Sequence, residues 1–223
     1  KSRDIRYKRG YKPKIEFWAA ELLKLPGIEL HPVSGDASFR RYFRIQTPGR
    51  SLILMDAPPE KENSAPFVDI AERLRVAGLN APEIVAFDLD AGFGLLEDFG
   101  DILYREIISP RNVETVFPAL FDVLEGLARH VDTRGLPNYD RALLLRDMEL
   151  FTDWYLAREK HITLTERQQL CWKEVCQQLV QSAQAQPQVF VHRDFHSCNL
   201  LQTPQGPGVI DFQDGLRGPL SYD

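Results

Sequence analysis

The chain has 223 residues, 43% of them hydrophobic, with 27 basic against 32 acidic side chains and a formal net charge of −5. This supplies a core for one large or two small domains, and it leaves no global basic field of the kind that points to nucleic acid. No apolar run approaches the roughly 20 residues that span a bilayer, so a membrane partner is not expected either.

The chain opens on Lys1, with no initiator Met and no apolar signal-peptide centre. Its basic run (Lys1, Arg3, Arg6, Lys8, Arg9, Lys12, Lys14) reads as a solvated arm leading into a helix, residues 1–24 together. Tyr42 to Ile45 and Leu52 to Met55 are β-rich runs joined by a Thr47-Pro48-Gly49 turn. A helix is expected next: Ser64 caps it, Pro66 suits its first turn, Phe67, Ile70, Ala71 and Leu74 share one face, and Gly78 ends it. Ile84 to Phe87 and Phe93 to Leu96 form a hairpin about Asp88 to Gly92.

Beyond Gly100 the pattern turns helical. Val113, Val116, Phe117, Leu120, Phe121, Leu124 and Leu127 make an apolar stripe, read as core. Thr165 and Gln168 form a capping box for a helix reaching about Ala183. Val189 to Val191 is a short strand, His192 to Asn199 a polar loop, and Leu200-Leu201 another strand; Gly206-Pro207-Gly208 turns the chain into Val209-Ile210, which delivers Asp211. The expected organisation is a nucleotide-binding lobe over residues 1–100 and a helical lobe over 101–223, with a catalytic loop at 192–199 and a metal-binding segment at 211–214. Cys171, Cys176 and Cys198 are odd in number and lack C-x-x-C spacing, so neither a disulfide framework nor a zinc site is expected, and a reducing cytoplasm is the natural setting.

The strongest chemical signal is His192-Arg193-Asp194-Phe195-His196-Ser197-Cys198-Asn199, followed by Asp211-Phe212. Phosphoryl transfer to a hydroxyl needs a carboxylate to receive the proton and oxygen ligands for a metal bridging the ATP phosphates. An H-R-D-x-x-x-x-N loop supplies both, with Asp194 as catalytic base and Asn199 on the metal. Asp211, arriving after a strand, completes an oxygen set suited to Mg2+. A chance polar loop would not combine these features. His192 and His196, without H-E-x-x-H, read as loop-positioning residues rather than a zinc pair.

Small residues in Ser34-Gly35-Asp36-Ala37-Ser38 would let backbone N–H groups approach ATP phosphates, and the following arginines would add charge. Arg41 and Arg44 are expected on one strand face, with Arg40 on the other. Glu97-Asp98-Phe99 leaves the last strand of the small lobe, where a connector would lie beside adenine.

At these residues the chain resembles the aminoglycoside phosphotransferase and choline kinase superfamily. Within it, the nearest group is the kinases that phosphorylate N-acetylmuramate and N-acetylglucosamine at the anomeric hydroxyl in cell-wall recycling. The stretches that carry the narrower resemblance are Gly35 to Phe43, Met55-Asp56-Ala57-Pro58-Pro59, Leu96 to Gly100, Tyr139 to Leu144 and Asp211-Phe212-Gln213-Asp214. The resemblance implies an α+β, bilobal protein-kinase-like fold with a small antiparallel sheet, one helix and a mainly helical C-lobe. It also implies ATP and Mg2+ as cofactors, a small-molecule sugar as substrate and a monomeric state. Asp214, Arg146 and Arg217 are candidates for the acceptor side.

Three departures stand out. Met55 occupies the place where a protein kinase has its strand lysine, which leaves Arg41, Arg44 and Lys61 as candidates for the phosphate charge. Gln213 replaces the glycine of D-F-G, making a backbone flip harder. The chain ends at Asp223, which resembles the aspartate that buttresses the catalytic loop, so the C-lobe is expected to be truncated, processed or unusually compact. Asp223 follows Asp211 by only twelve positions, which leaves no room for a long activation loop and disfavours a protein kinase. An aminoglycoside kinase and a catalytically weak nucleotide-binding pseudokinase are the alternatives.

Overall fold

Alternation along the first long hairpin organises the N-terminal part of the molecule. Strands β2 (Arg41–Thr47) and β3 (Arg50–Asp56) pair antiparallel through the Pro48-Gly49 turn, with Phe43 opposite Leu54 and Ile45 opposite Leu52. These four side chains therefore leave one face together. They bury against Ile15 and Ala19 of helix α1 (Lys12–Leu23). With β1 (His31–Val33), β4 (Ile84–Asp88) and β5 (Phe93–Glu97) they build a five-stranded sheet in the order β1-β2-β3-β5-β4. The computed structural model describes residues 12–33 and 39–223. Lys1, Arg3, Arg6, Lys8 and Arg9 of the basic run and the turn Ser34, Gly35, Asp36, Ala37 and Ser38 lie outside the described residues.

The register corrects the expected arginine faces. Arg41 pairs across from Asp56 and so joins the Phe43 and Ile45 face, whereas Arg44 lies opposite Ile53 on the other, with Tyr42 opposite Met55. Residues three apart on a continuous strand point to opposite faces, so Arg41 and Arg44 do not share one.

Helix α2 (Ala65–Val76) buries Phe67, Ile70, Ala71 and Leu74, the face its spacing predicts. After α3 (Tyr104–Ile107) come α4 (Val113–His130), α5 (Arg141–Leu150), a π-helical segment (Phe151–Glu159) and α6 (Glu166–Ala185). The capping box of Thr165 and Gln168 is formed. The stripe on α4 is only partly core: Leu120, Val123, Gly126 and Leu127 are buried, but Phe121 is 58% exposed and Val113 is exposed too. The stripe is wider than the face its neighbours cover.

Four short strands complete the chain. β6 (Gln188–Val191) pairs with β9 (Leu216–Pro219), and β7 (Leu200–Thr203) with β8 (Gly206–Val209). The Gly206-Pro207-Gly208 segment is already strand, with the turn before it at 204–205. The described residues fall into two compact units. The first takes those up to Arg75 with Asn80–Ile107 and Ser197–Gln213; the second takes Val76–Leu79, Ile108–His196 and Asp214–Asp223. In the second, Tyr139, Leu144, Val180, Val191 and Leu216 make a core cluster, with Val191 ending β6 just before His192.

Candidate active site

The β7–β8 hairpin brings two distant residues together. Leu200 lies opposite Val209, so Asn199 and Ile210 are the next pair out, joined by the Ile210 N–H to the Asn199 carbonyl at 3.1 Å. Asp211 follows at once, and the Asn199 Nδ2 donates to its Oδ2 at 3.4 Å. The other carboxylate oxygen of Asp211 accepts from Gln213 Nε2 at 2.8 Å. The Asp-Phe-Gln triplet thus uses its glutamine to aim the aspartate.

Asn199 is buried, and its side-chain amide lies against the Asp211 carboxylate. A carbonyl oxygen and a carboxylate beside one another suit magnesium, which takes one or two protein oxygens and completes its shell with phosphates and water. Among the described residues no group of three or more His, Cys, Asp or Glu could hold a metal ion.

In the second unit the loop after β6 is fixed by its backbone. Asp223 accepts N–H bonds from His192 at 2.5 Å and from Arg193 at 2.8 Å. Arg193 has φ 79, a left-handed conformation that a non-glycine residue holds only when surroundings enforce it. Its guanidinium meets Asp147 of α5 at 3.3 Å and lies over the Tyr139 ring, 5.5 Å from its centroid. Tyr139 donates its hydroxyl to Asp147 and lies 2.9 Å from the hydroxyl of Tyr222. Burial and then the Asp147 bond push the Tyr139 phenol well above its ordinary range, so it stays a neutral donor. The Asp194 N–H donates to His192 Nδ1 at 3.3 Å, and its carbonyl accepts from the His196 N–H at 3.0 Å. The backbone is pinned on both sides while the Asp194 side chain is exposed. Asp211 likewise has a positive φ, of 62.

Side chains proposed for nucleotide contact are largely committed elsewhere. Arg44 binds Asp98 (2.6 and 2.9 Å) and Asp101 (2.8 and 2.9 Å). Arg41 pairs with Asp56. Glu97 accepts the Glu83 N–H at 3.1 Å and faces Arg75 at 3.7 Å. Phe99 packs on Gly208, where an added Cβ would come within 2.6 Å of its ring. Lys61 sits over the Phe39 ring at 4.5 Å. On the acceptor side Asp214 and Arg217 are exposed, Arg217 lies near Asn138 at 3.4 Å, and Arg146 leans on Asp147 at 3.3 Å.

Known proteins place this geometry. The phosphotransferase enzyme family matches residues 29–223. The chain belongs to that family. It is 48% identical over 201 residues to the N-acetylmuramate/N-acetylglucosamine kinase of Pseudomonas aeruginosa, covering 90% of this chain and 59% of that protein. It is 36% identical over 217 residues to the kinase of the same name from Neisseria meningitidis, covering 94% and 64%. The chain therefore spans about three fifths of the length of the curated relatives it matches. Among solved structures it superposes on the aminoglycoside phosphotransferase APH(4)-Ia with TM-score 0.62 at 14% identity, covering 94% of this chain and 74% of that one. A choline kinase from Streptococcus pneumoniae gives TM-score 0.62 at 14% identity, covering 94% and 70%. The fold is therefore the bilobal, protein-kinase-like one.

The candidate site has support that the sequence motifs did not reveal. Asp147, Tyr139 and Tyr222 hold Arg193, and Gln213 holds Asp211. The capping aspartate Asp140, whose side chain accepts the Leu143 N–H at 2.9 Å, is the signal that could have located α5 and with it Asp147.

Proposed function

We propose that this chain transfers the γ-phosphoryl group of ATP to the anomeric hydroxyl of N-acetylmuramate or N-acetylglucosamine, giving the sugar 1-phosphate. The observation that carries the reading is the Asn199–Asp211 pair, an oxygen site built by a hairpin directly after an anchored H-R-D loop, in a chain 48% identical to a kinase of that name. The anomeric position rests on the sequence resemblance to that group.

In this reading Asp194 receives the proton as the sugar oxygen bonds to the γ-phosphorus and the bond to the leaving ADP oxygen breaks. An anomeric hydroxyl is more acidic than an ordinary sugar alcohol, so a carboxylate is base enough. Asn199 and Asp211 hold Mg2+, which when bound neutralises charge developing on the phosphates. The connector Glu97–Asp98–Phe99 offers backbone groups to adenine, its side chains being occupied. Asp214, Arg146 and Arg217 remain the candidates for sugar contact. The three cysteines are free of disulfides, as in a reducing cytoplasm, and a monomer completes the reading.

The test is ADP release with N-acetylmuramate, N-acetylglucosamine, choline and kanamycin, followed by product analysis. The expected product no longer reduces alkaline copper. A reducing 6-phosphate would refute the anomeric assignment, and turnover confined to kanamycin or choline would refute the substrate class.

A further inference from the structure

Met55 lies on β3 where the kinase fold elsewhere uses a lysine to hold ATP phosphates, and it is fully buried with no charge to offer. Three arginines lie near it. Arg41 is on the wrong face, turned with Phe43 and Ile45 toward the α1 side of the sheet. Arg44 is on the right face, but together with Asp98 and Asp101 it forms a cluster of net negative charge, which repels phosphate.

Arg40 satisfies both conditions. It stands two residues before Tyr42, the direct partner of Met55, and immediately before the first residue of β2; strand alternation carried one residue beyond β2 takes its side chain to the Met55 face, about 7 Å further along. A guanidinium is long enough to reach back over that step. Its side chain is 7% exposed, and its Nη2 lies 3.4 Å from Glu62, just before α2. The other oxygen of Glu62 accepts the Phe39 N–H at 3.1 Å, so one carboxylate orients two consecutive residues.

The Arg40 guanidinium lies 6.0 Å from the centroid of the Phe67 ring. Phe67 stacks on Phe212 at 5.1 Å, and Phe212 follows Asp211 directly. Within one unit, then, a buried cation lies over one ring of a stacked pair whose other ring belongs to the residue next to Asp211. A polyphosphate is held by a cation at one end and a bound metal at the other, and this packing ties the two candidates together.

We propose that Arg40, oriented by Glu62, is the phosphate-binding cation of this enzyme and takes over the work of the strand lysine. The pair reproduces the lysine–glutamate ion pair of kinases with the cation moved from β3 to the entry of β2. A desolvated guanidinium gives strong, paired bonds to phosphate oxygens, and Glu62 keeps its charge compensated before nucleotide arrives. The inference rests on the phosphotransferase reading above.

The experiment measures binding of adenosine, ADP and ATP with magnesium, by calorimetry, to the parent protein and to Arg40→Ala, Arg40→Lys and Glu62→Gln. In Arg40→Ala, ATP and ADP should weaken about 10- to 100-fold while adenosine changes less than about twofold. Arg40→Lys should recover much of the loss, and Glu62→Gln should give an intermediate one. The ratio of adenosine to ATP affinity is the deciding quantity, because a general loosening of the fold lowers both together. An unchanged ratio in Arg40→Ala overturns the proposal, as does equal damage by Arg40→Lys and Arg40→Ala. Should Arg40→Ala not fold, Arg40→Lys and Glu62→Gln decide on the same ratio. If the parent turns over sugar and the ratio does not move, the inference falls and the enzymatic reading stands; if the parent binds no nucleotide, both fall.

Discussion

The carboxylate of Asp223 spans the peptide between His192 and Arg193, accepting both N–H groups at 2.5 and 2.8 Å. It thereby holds the backbone immediately before Asp194, the proposed base. Burial raises the Asp223 carboxyl above its ordinary value, and the two N–H bonds only partly oppose this. Asp223→Ala strands both donors, at a cost of about 2 kcal/mol and a fall in Tm of roughly 4–8 °C, with kcat falling more than KM. A thermal scan and steady-state kinetics check this; unchanged Tm and kcat would show that the loop does not depend on Asp223.

Asp194→Asn keeps the shape of the loop and removes the proton acceptor. The expected loss in kcat is about 10²- to 10⁴-fold with ATP affinity largely retained. Near-parent turnover by a folded variant would remove Asp194 from its role.

Asp211→Ala acts on the metal instead. Calorimetric ATP affinity should lose most of its dependence on magnesium, while binding of adenosine persists. Gln213→Ala, which frees one oxygen of Asp211, should move the magnesium requirement to higher concentration without abolishing it. A magnesium titration identical to the parent in Asp211→Ala would exclude that residue as a ligand.

Asp147 is a positioning residue. It binds Arg193 and Tyr139 together, so Asp147→Asn weakens the grip on a residue held at positive φ. The kcat should fall roughly tenfold with KM for ATP unchanged. Tyr139→Phe should give a smaller effect of the same kind, and combining it with Asp147→Asn should cost less than the separate effects together. Fully additive losses would mean the three residues do not act as one unit.

Acid should reveal the Arg44–Asp98 contact. Burial alone would raise the Asp98 carboxyl, but bonds from Arg44, Ser51 and the Gly100 N–H more than reverse this and leave it below its ordinary value. A depressed carboxyl contributes stability above its unfolded pKa of about 3.9, lost as pH falls through the lower folded value. Asp98→Asn should therefore lower Tm at pH 7, with the gap to the parent narrowing below about pH 4. A gap constant from pH 7 to pH 3 would contradict the linkage.

Much of this site is written in short-range pattern. The H-R-D loop, the strand-borne aspartate and the four buried positions of α2 follow from spacing alone, because strand and helix periods dictate which side chains travel together. The partners of those residues do not. Asp147 reaches Arg193 across 46 residues and Asp98 reaches Arg44 across 54, separations at which no local rule operates. Helix α5 carries one local signal, its polar cap Asp140. Arg41 and Arg44, three apart, take opposite faces by strand period alone, and the register with β3 adds which face each takes. The π-helical segment Phe151–Glu159, with Trp154 and Tyr155 exposed, carries no periodic signal by which it could have been found.

Met55 also determines how this enzyme meets chemical probes. Nucleotides armed with an amine-acylating group label kinases by transferring it to the strand lysine, and β3 here presents a buried thioether that such groups do not acylate. A dicarbonyl reagent selective for guanidinium groups becomes the corresponding tool. Protection of Arg40 by ATP, read on the one peptide that carries it, would report nucleotide occupancy of this chain.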